Sequence, residues 1–253
     1  MVLFTYMEKK SLGYVLFAAA VIALILVVSY KPSQKGLPLT DDAVVPEESL
    51  NILAKTDKKV VKETKTVSIN ATYPEFENVP AVINSDIKSF VDNEVSNIEK
   101  LVADGMPDSV VASYSFQASY EIEQANTDYV SLVFTVSEYT GGAHPNQYYR
   151  TFNYDIDTGK EMALKDLFPG DDTYLNNLKP KIKVGVHDEL EARLAEAGDG
   201  SMDPDEMLFE DIRDLDETAF QRFTFGKDYV RFFFSPYDIA PYAAGPIIVK
   251  VQK

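Results

Sequence analysis

Cysteine is absent from the 253-residue sequence. Disulfides, thiolate metal sites and cysteine nucleophiles are therefore excluded, as is a lipid anchor on a processed N-terminal cysteine. Exported eukaryotic domains of this size often carry disulfides, so the absence favours a bacterial surface protein that is stabilised by its core alone. Tryptophan is absent too, whereas Tyr and Phe occur 15 times each, which favours strands that bury large side chains.

Positive charge is scarce, because 24 Lys and Arg face 40 Asp and Glu, and the net charge is −16. The distribution is uneven: residues 1–35 carry +3, whereas residues 66–253 carry −18. A field of that sign repels phosphate backbones, which argues against nucleic acid as a partner. It attracts cationic proteins and metal ions. The alternative is that the acidity only keeps the domain in solution.

Common catalytic motifs are missing as well. The sequence contains no G-x-S-x-G, P-loop, H-E-x-x-H or Rossmann glycine pattern. Its only histidines are His144 and His187, so a zinc site needs carboxylates from distant positions. His187 lies beside Asp188, away from the apolar stripe of a predicted helix, and is expected to be solvated. We expect no cofactor, no metal and no catalytic residue.

One long apolar run is present near the N-terminus. Leu12 to Tyr30 contains no charged residue and is long enough to cross a hydrocarbon core of about 30 Å as a helix. Residues 28–32, Val-Ser-Tyr-Lys-Pro, form a poor signal-peptidase site. The run therefore predicts an uncleaved signal anchor over residues 12–30, with a short cytoplasmic tail at 1–11. The expected location is the cell membrane, crossed once, with the C-terminal domain outside the cytoplasm.

The segment after the apolar run predicts a flexible stalk at residues 31–65. It contains scattered Pro and Gly and mixed charges, and its apolar residues are few and aperiodic. A folded extracytoplasmic domain is expected over residues 66–253, within which 66–163 and 164–253 are candidate subregions.

Hydrophobic periodicity predicts the elements of this domain. Alternation predicts a strand at 67–73, and an apolar helical stripe follows from Ile83 to Val102. Alternation and turn signals then predict further strands at 113–123, 129–138, 148–156, 220–225, 229–234 and 247–251. A second helical stripe begins near Asp172, and Pro180 predicts a break or a kink in it after Lys179. The expected fold class is α+β, with antiparallel sheet and helices packed on one face.

Two loops stand out as a candidate binding surface. The first joins two predicted strands and contains Gly-Gly, which allows backbone shapes closed to other residues, followed by His-Pro. The second is punctuated by proline and offers tyrosines, which suit interfaces. The alternative is structural: the imidazole satisfies backbone groups and the tyrosines cap the core. The candidate surface comprises Tyr139, Thr140, Gly141, Gly142, His144, Asn146, Tyr237 and Tyr242.

An acidic loop at residues 199–210 places oxygen ligands at several positions of a calcium-loop frame. The frame requires glycine at its sixth position, where this sequence has Pro204. The pattern instead predicts a helix start, with Asp203 as N-cap and Pro204 as the first helical residue.

Four motifs occur in one order: Gly-Gly-Ala-His-Pro-Asn at 141–146, Asp-Thr-Gly-Lys at 157–160, Leu-Lys-Asp-Leu-Phe at 164–168, and the aromatic and proline-rich segment at 232–245. Together they resemble the extracytoplasmic domain of RsiV-like anti-sigma factors. They also resemble the non-catalytic N-terminal region of PdaC-type peptidoglycan deacetylases. The resemblance covers residues 66–253 and implies an exported α+β module near the cell wall.

The resemblance also implies what the module does. RsiV is a receptor that binds lysozyme, and a domain with a charge of −18 suits such a cationic partner. Only about ten residues precede the apolar run, too few for an anti-sigma segment, and no deacetylase domain is recognisable, so that chemistry is not carried over. The leading hypothesis is a non-enzymatic cell-envelope binding module for lysozyme or a cell-wall glycan. Alternatives are a peptidoglycan hydrolase that uses unrecognised carboxylates and His144, and a purely structural surface domain.

Overall fold

Two β-sheets and two α-helices form the part of the chain that the computed structural model describes, residues 53–105, 113–198 and 202–253. Short 3-10 turns lie between them, mostly in the second half. In chain order the elements are β1 (Lys55–Glu63), β2 (Val67–Phe76), α1 (Ala81–Ala103), β3 (Tyr114–Ala125), β4 (Tyr129–Tyr139), β5 (Asn146–Asp155), β6 (Lys160–Glu161), α2 (Tyr174–Ala197), β7 (Phe223–Phe225), β8 (Tyr229–Phe234) and β9 (Ile247–Gln252).

The large sheet contains six strands in sequence order, β1 to β6. All neighbours are antiparallel except β2 and β3, which run parallel with Val67 opposite Tyr114. Parallel neighbours need a long crossover, and α1 supplies it. The predicted meander of β3, β4 and β5 is confirmed, and the parallel pair is an addition to the expected antiparallel sheet.

Helix α1 covers one face of the large sheet. Its apolar stripe meets alternate residues of β4, because successive strand side chains point to opposite faces. Phe134 of β4 lies at the centre, with its ring centroid 5.3 Å from Phe90 and 5.9 Å from Phe152. The fully buried helix residues are Ile83, Ile87, Val91 and Ile98. Both the helical stripe and the strand period predicted from the sequence are confirmed here.

The second helix covers the small sheet, in which β8 lies between β7 and β9. The predicted break at Pro180 is wrong, because α2 is one helix from Tyr174 to Ala197. Proline removes only one helical hydrogen bond. Leu178 and Ile182, on either side of it, are both buried against the small sheet, and this burial favours a continuous helix.

The other faces of the two sheets meet each other. Val133, Tyr149 and Phe233 form a small buried cluster between them. The Asn153 side chain donates to the backbone carbonyl of Phe223 at 2.8 Å. Burial raises the pKa of Tyr149 to about 12. The order of layers is therefore helix, large sheet, small sheet, helix. The α+β class is confirmed, and each sheet carries its own helix on one face.

A polar joint also connects the sheets. Glu123 of β3 accepts hydrogen bonds from Thr224 Oγ1 at 2.9 Å, Tyr229 Oη at 2.5 Å and Arg231 Nη1 at 2.8 Å. Burial acts to raise the pKa of Glu123, but these bonds outweigh it and hold the pKa below its usual range. The joint therefore contains an ionised carboxylate surrounded by donors.

The structure corrects the predicted stalk at its C-terminal end. Residues 55–63 form β1, paired with β2 from Lys55 opposite Phe76 to Glu63 opposite Ser68. The strand is mostly exposed and charged, so no alternating apolar pattern marks it. Its main-chain ladder holds it, with surface ion pairs such as Lys62–Glu99 at 2.6 Å.

The predicted anchor at residues 12–30, the tail at 1–11 and the stalk up to residue 52 lie outside the described residues. Among the residues that are described, none belongs to a helix long and apolar enough to cross a membrane.

Candidate functional site

Three aromatic side chains from the two predicted loops meet on the surface. The rings of His144 and Tyr242 stack with centroids 3.7 Å apart and an interplanar angle of 21°. Tyr237 lies beside both, 5.6 Å from Tyr242 and 6.5 Å from His144. Its side chain is prominent, with 56% of its surface exposed. We call His144, Tyr237 and Tyr242 the aromatic patch.

The first loop is shaped by its glycines. Gly141 and Gly142 have φ of 100° and 114°, which only glycine adopts without strain. The Tyr139 hydroxyl donates to the Gly142 carbonyl at 3.1 Å and closes the loop. His144 Nδ1 lies 3.0 Å from the Pro145 carbonyl oxygen, so Nδ1 carries the proton and donates.

The second loop is held by an aspartate. The Asp238 carboxylate pairs with Arg222 and accepts from the Ser235 backbone N–H at 2.5 Å. Tyr237 lies between Ser235 and Asp238 in the sequence, and its φ of 73° is uncommon for a bulky residue. The Tyr237 N–H donates to the Ala240 carbonyl at 3.1 Å. The surrounding bonds therefore fix a strained backbone that holds Tyr237 outward.

A guanidinium from α2 holds the end of the same loop. Arg193 donates to the carbonyls of Ala244 and Pro246, the latter at 2.6 Å, and Glu189 on the same helix pairs with it at 2.6 Å. The Tyr242 hydroxyl donates to the Pro145 carbonyl at 3.3 Å and links this loop to the first. These hydrogen bonds therefore fix the backbone of both loops beneath the aromatic patch.

The structure brings the two predicted loops together. It also bears on whether their aromatic side chains have a structural role or form a binding surface. His144 does satisfy a backbone carbonyl, as the structural interpretation expects, yet its ring also stacks in the patch. Tyr237 does not cap the core, because it is exposed. Tyr242 is half-buried, and burial raises its pKa, with a smaller contribution from Tyr237. The remaining predicted residues form the rim around the first loop: Tyr139, Thr140, Gly141, Gly142 and Asn146.

A second cluster arises where α2 meets the acidic loop. His187, predicted to be solvated, is partly exposed, and its Nδ1 lies 3.1 Å from Asp205 Oδ1. Candidate ligand atoms of His187, Asp203 and Asp205 lie within 4.8 Å of one another. Lys183 already sits 3.2 Å from Asp205 and supplies positive charge. Lys183 lies equally close to Asp211, so the chain itself offsets only part of the negative charge of the cluster. The predicted turn start is confirmed, because Asp203 caps a 3-10 turn that begins at Pro204.

A pair of glutamates lies on the α1 side of the large sheet. Burial raises the pKa of Glu138, and the nearby charge of Glu94 raises it further. Tyr148 hydrogen-bonds Glu94, and burial together with both glutamates raises its pKa. His144 stacks with Tyr242 from the other half of the chain. The hydrolase alternative requires a pocket in which His144 lies beside a pair of carboxylates. Within the described ranges, no hydrogen bond or ring contact joins the His144 imidazole to Glu94 or Glu138.

Comparisons with known proteins agree with this two-part organisation. Residues 60–147 match the family model described as Deacetylase PdaC. Residues 165–253 match the model described as Protein of unknown function (DUF3298). The first match ends at the second residue of β5, and the second match begins in the 3-10 turn that precedes α2. The chain thus has a PdaC-like region followed by a DUF3298 domain, and the resemblance to PdaC-type proteins is confirmed.

Similar full-length proteins are also known. The Peptidoglycan-N-acetylmuramic acid deacetylase PdaC of Bacillus subtilis is 27% identical over 194 residues, which are 77% of this chain and 39% of that protein. The chain therefore spans well under half of that relative. The Immunogenic protein MPT64 of Mycobacterium tuberculosis is 25% identical over 183 residues, 68% of this chain and 74% of that protein.

Solved structures of DUF3298 family proteins are also similar to this chain. A DUF3298 family protein from Pseudomonas aeruginosa aligns with a TM-score of 0.50 and 14% identity, over 79% of this chain and 88% of that one. A DUF3298 family member from Bacteroides fragilis aligns with a TM-score of 0.46 and 20% identity, over 80% and 92% of the two chains.

Proposed function

We propose that this chain, in which a PdaC-like region precedes a DUF3298 domain, is a cell-envelope binding module that holds a wall glycan on its aromatic patch. The observation that carries the proposal is the stack of His144 and Tyr242 beside the exposed ring of Tyr237. Pyranose rings have an apolar face of C–H bonds, which packs against aromatic rings. The name of the PdaC relative, a peptidoglycan deacetylase, supports a wall polymer as the ligand.

The role proposed is binding without catalysis. The patch contains one imidazole, whose Nδ1 donates to a carbonyl, and its supporting bonds fix the loops rather than activate a nucleophile. Preorganisation of this kind raises affinity because little conformational entropy is lost on binding. We further propose that residues 12–30 anchor the module in the cell membrane and that the described domain lies outside the cytoplasm.

A co-sedimentation assay with purified insoluble peptidoglycan tests the glycan role. The full chain should sediment with the polymer, and Tyr237→Ala should weaken that binding several-fold. Phe209→Ala is a matched control, because the Phe209 side chain is also 56% exposed but lies outside the patch. Equal loss in both variants would mean that general hydrophobic adsorption, not the patch, causes sedimentation.

A cationic protein such as lysozyme is the second candidate ligand, favoured by the charge of −18 on residues 66–253. Calorimetric titration with lysozyme at low and at physiological salt separates the two candidates. If lysozyme binding survives physiological salt and depends on Tyr237, lysozyme and not the glycan is the ligand of the patch. Binding seen only at low salt reflects bulk charge attraction and leaves the glycan proposal standing.

A further inference from the structure

A cavity of about 460 Å³ lies away from the aromatic patch, where the second half of the chain passes the edge of β5. Arg150 and Thr151 of β5 form its floor. Glu161 lies on one side, and Glu217 and Phe223 lie on the other. Its volume falls within the range of small-ligand sites.

Within the described residues, the outer edge of β5 has one residue, between two occupied positions, whose backbone N–H and C=O are both open. In an antiparallel pair, alternate residues direct both backbone groups away from the partner strand. The Asn153 carbonyl points outward, because it accepts from the Met162 N–H at 2.8 Å. The Tyr149 N–H also points outward, because it donates to Ser235 Oγ at 3.3 Å. Thr151 lies between these two positions, so its N–H and C=O must face the cavity.

Those two groups of Thr151 make no hydrogen bond to any residue within 53–105, 113–198 or 202–253. Thr151 is nevertheless buried, with 5% of its surface exposed. Buried backbone groups in native proteins are almost always paired with protein, water or ligand. The Thr151 N–H and C=O therefore face the cavity without the partner that a neighbouring strand would supply.

The geometry of that pair selects the chemistry of its partner. The N–H and C=O of one strand residue point in the same direction. They therefore pair with the C=O and N–H of a single opposite residue, which must be extended and have an amide on each side of its Cα. A single acetamido group does not match, because the N–H and C=O of one trans amide point in opposite directions. An extended peptide matches both groups at once, which is the mode of strand addition.

The walls of the cavity add a charge preference. Glu161 is only loosely paired with Arg150, at 3.8 Å. Glu217 accepts from the Tyr174 hydroxyl at 2.5 Å and lines the cavity. With one guanidinium and two carboxylates, the lining favours a cation. Phe223 and Leu164 add apolar surface for the stem of a long side chain.

We propose that this cavity binds a short extended peptide with a lysine-like side chain, which pairs with Thr151 as an added strand and directs its ammonium group to Glu217. Because Met162 and Ser235 occupy β5 on either side, the site admits about one paired residue and its two flanking amides. Two hydrogen bonds and one partly exposed ion pair give weak binding, with a dissociation constant between high micromolar and millimolar.

Nuclear magnetic resonance titration of the full chain with the capped tripeptide acetyl-Gly-Lys-Gly-amide tests this proposal. The amide resonance of Thr151 should shift as the peptide saturates the site. The same peptide with an N-methyl group on the lysine nitrogen cannot donate, and it should bind at least tenfold more weakly. Norleucine in place of lysine, or the Glu217→Gln variant, should weaken binding several-fold. The N-methyl comparison needs no protein variant, so it holds even if a variant fails to fold.

Other outcomes would overturn the proposal. Equal binding of the N-methyl peptide would exclude strand pairing. Shifts produced by N-acetylglucosamine at Thr151, without shifts from the peptide, would make the cavity a sugar site. The site is independent of the aromatic patch, so Tyr237→Ala should leave peptide binding unchanged, whereas Gln221→Trp, which fills the cavity, should abolish it and leave peptidoglycan sedimentation intact.

Discussion

His144 and Tyr242 stack with their ring centroids 3.7 Å apart, although one belongs to the PdaC-like region and the other to the DUF3298 domain. The Tyr242 hydroxyl adds a hydrogen bond to the Pro145 carbonyl at 3.3 Å. The aromatic patch therefore exists only when the two halves of the chain are packed together. A ligand that binds across this stack stabilises their association by linkage.

The stacked pair gives the first prediction. His144→Ala should weaken binding to peptidoglycan between about two- and tenfold, because an aromatic pair contributes about 0.5–1.5 kcal/mol. His144→Phe keeps the ring and should bind nearly as well as the wild type. His144→Ala should lower the melting temperature by only a few degrees, because each kcal/mol lost from the stack shifts it by about 2–4 °C, and His144→Phe should melt close to the wild type. Unchanged affinity in His144→Ala would assign the imidazole a purely structural role.

A close approach between α2 and β9 gives the second prediction. A Cβ atom at Gly185 would lie 2.3 Å from Cγ1 of Val249, which is too short for any real contact. Gly185→Ala must therefore displace the Val249 side chain or the helix, and it should lower the free energy of unfolding by about 1–3 kcal/mol. Val184→Ala is the matched control, because the adjacent Val184 is 60% exposed. Urea unfolding measures both, and equal stability of the two variants would contradict the tight packing.

The Glu123 joint gives the third prediction. Glu123→Gln should lower the free energy of unfolding at pH 7 by about 1–3 kcal/mol, because it removes the charge that Tyr229 and Arg231 pair with. Glu121→Gln is the control: Glu121 lies 3.5 Å from the same arginine, but its side chain is 68% exposed. Its loss should change stability by less than about 1 kcal/mol.

The same carboxylate should make stability depend on acid. Its pKa is lower in the folded state than its ordinary value, so its contribution is complete above that value and is lost as the pH falls through the folded pKa. Urea unfolding between pH 7 and pH 3 should therefore show the wild type and Glu123→Gln converging in stability at the acid end. A constant difference over this range would show that the glutamate is not ionised in the joint.

His187 gives the fourth prediction, which has the opposite sign. The hydrogen bond to Asp205 raises the pKa of His187, with smaller contributions from the charges of Asp205, Glu191 and Asp188, while desolvation lowers it. The stabilisation is therefore complete below the ordinary pKa of histidine, about 6.5, and is lost as the pH rises through the raised value.

The measurement is a comparison of the wild type with His187→Gln across that window. The wild type should lose stability relative to the variant between about pH 6 and pH 8, because the variant carries no titrating group there. Lys183 faces the same Asp205 and stays charged throughout, so it provides a constant background. A flat difference across this range would contradict the predicted contribution of the imidazolium.

The helices and most strands followed from local patterns. The apolar stripe from Ile83 to Val102 predicted α1, and alternation from 129 to 138 predicted β4, because burial of one face imposes its period on the sequence. Two local rules gave wrong results. Pro180 stays within a continuous helix, since burial on either side outweighs one lost hydrogen bond. Residues 55–63 form a strand without an apolar pattern, since an edge strand needs only a main-chain partner.

The candidate site was half predictable. Gly-Gly-Ala-His-Pro and the tyrosine-rich loop were identifiable by composition, because both combine glycine or tyrosine with proline over a few neighbouring positions. Their contact was not predictable, because it depends on how the small sheet packs on the large one. Nor did any local signal mark the meeting of His187 with Asp205, or the ring of donors around Glu123.

The amino-acid sequence alone is enough to establish the acidic charge, the absence of thiol chemistry, the apolar run at residues 12–30 and the local identity of the main helices and strands. These are properties of composition and short-range periodicity. The folded arrangement, by contrast, stacks His144 on Tyr242 and places Thr151 between the contacts that β5 makes with Met162 and Ser235. Both depend on strand register and on packing between distant segments, which no local pattern encodes.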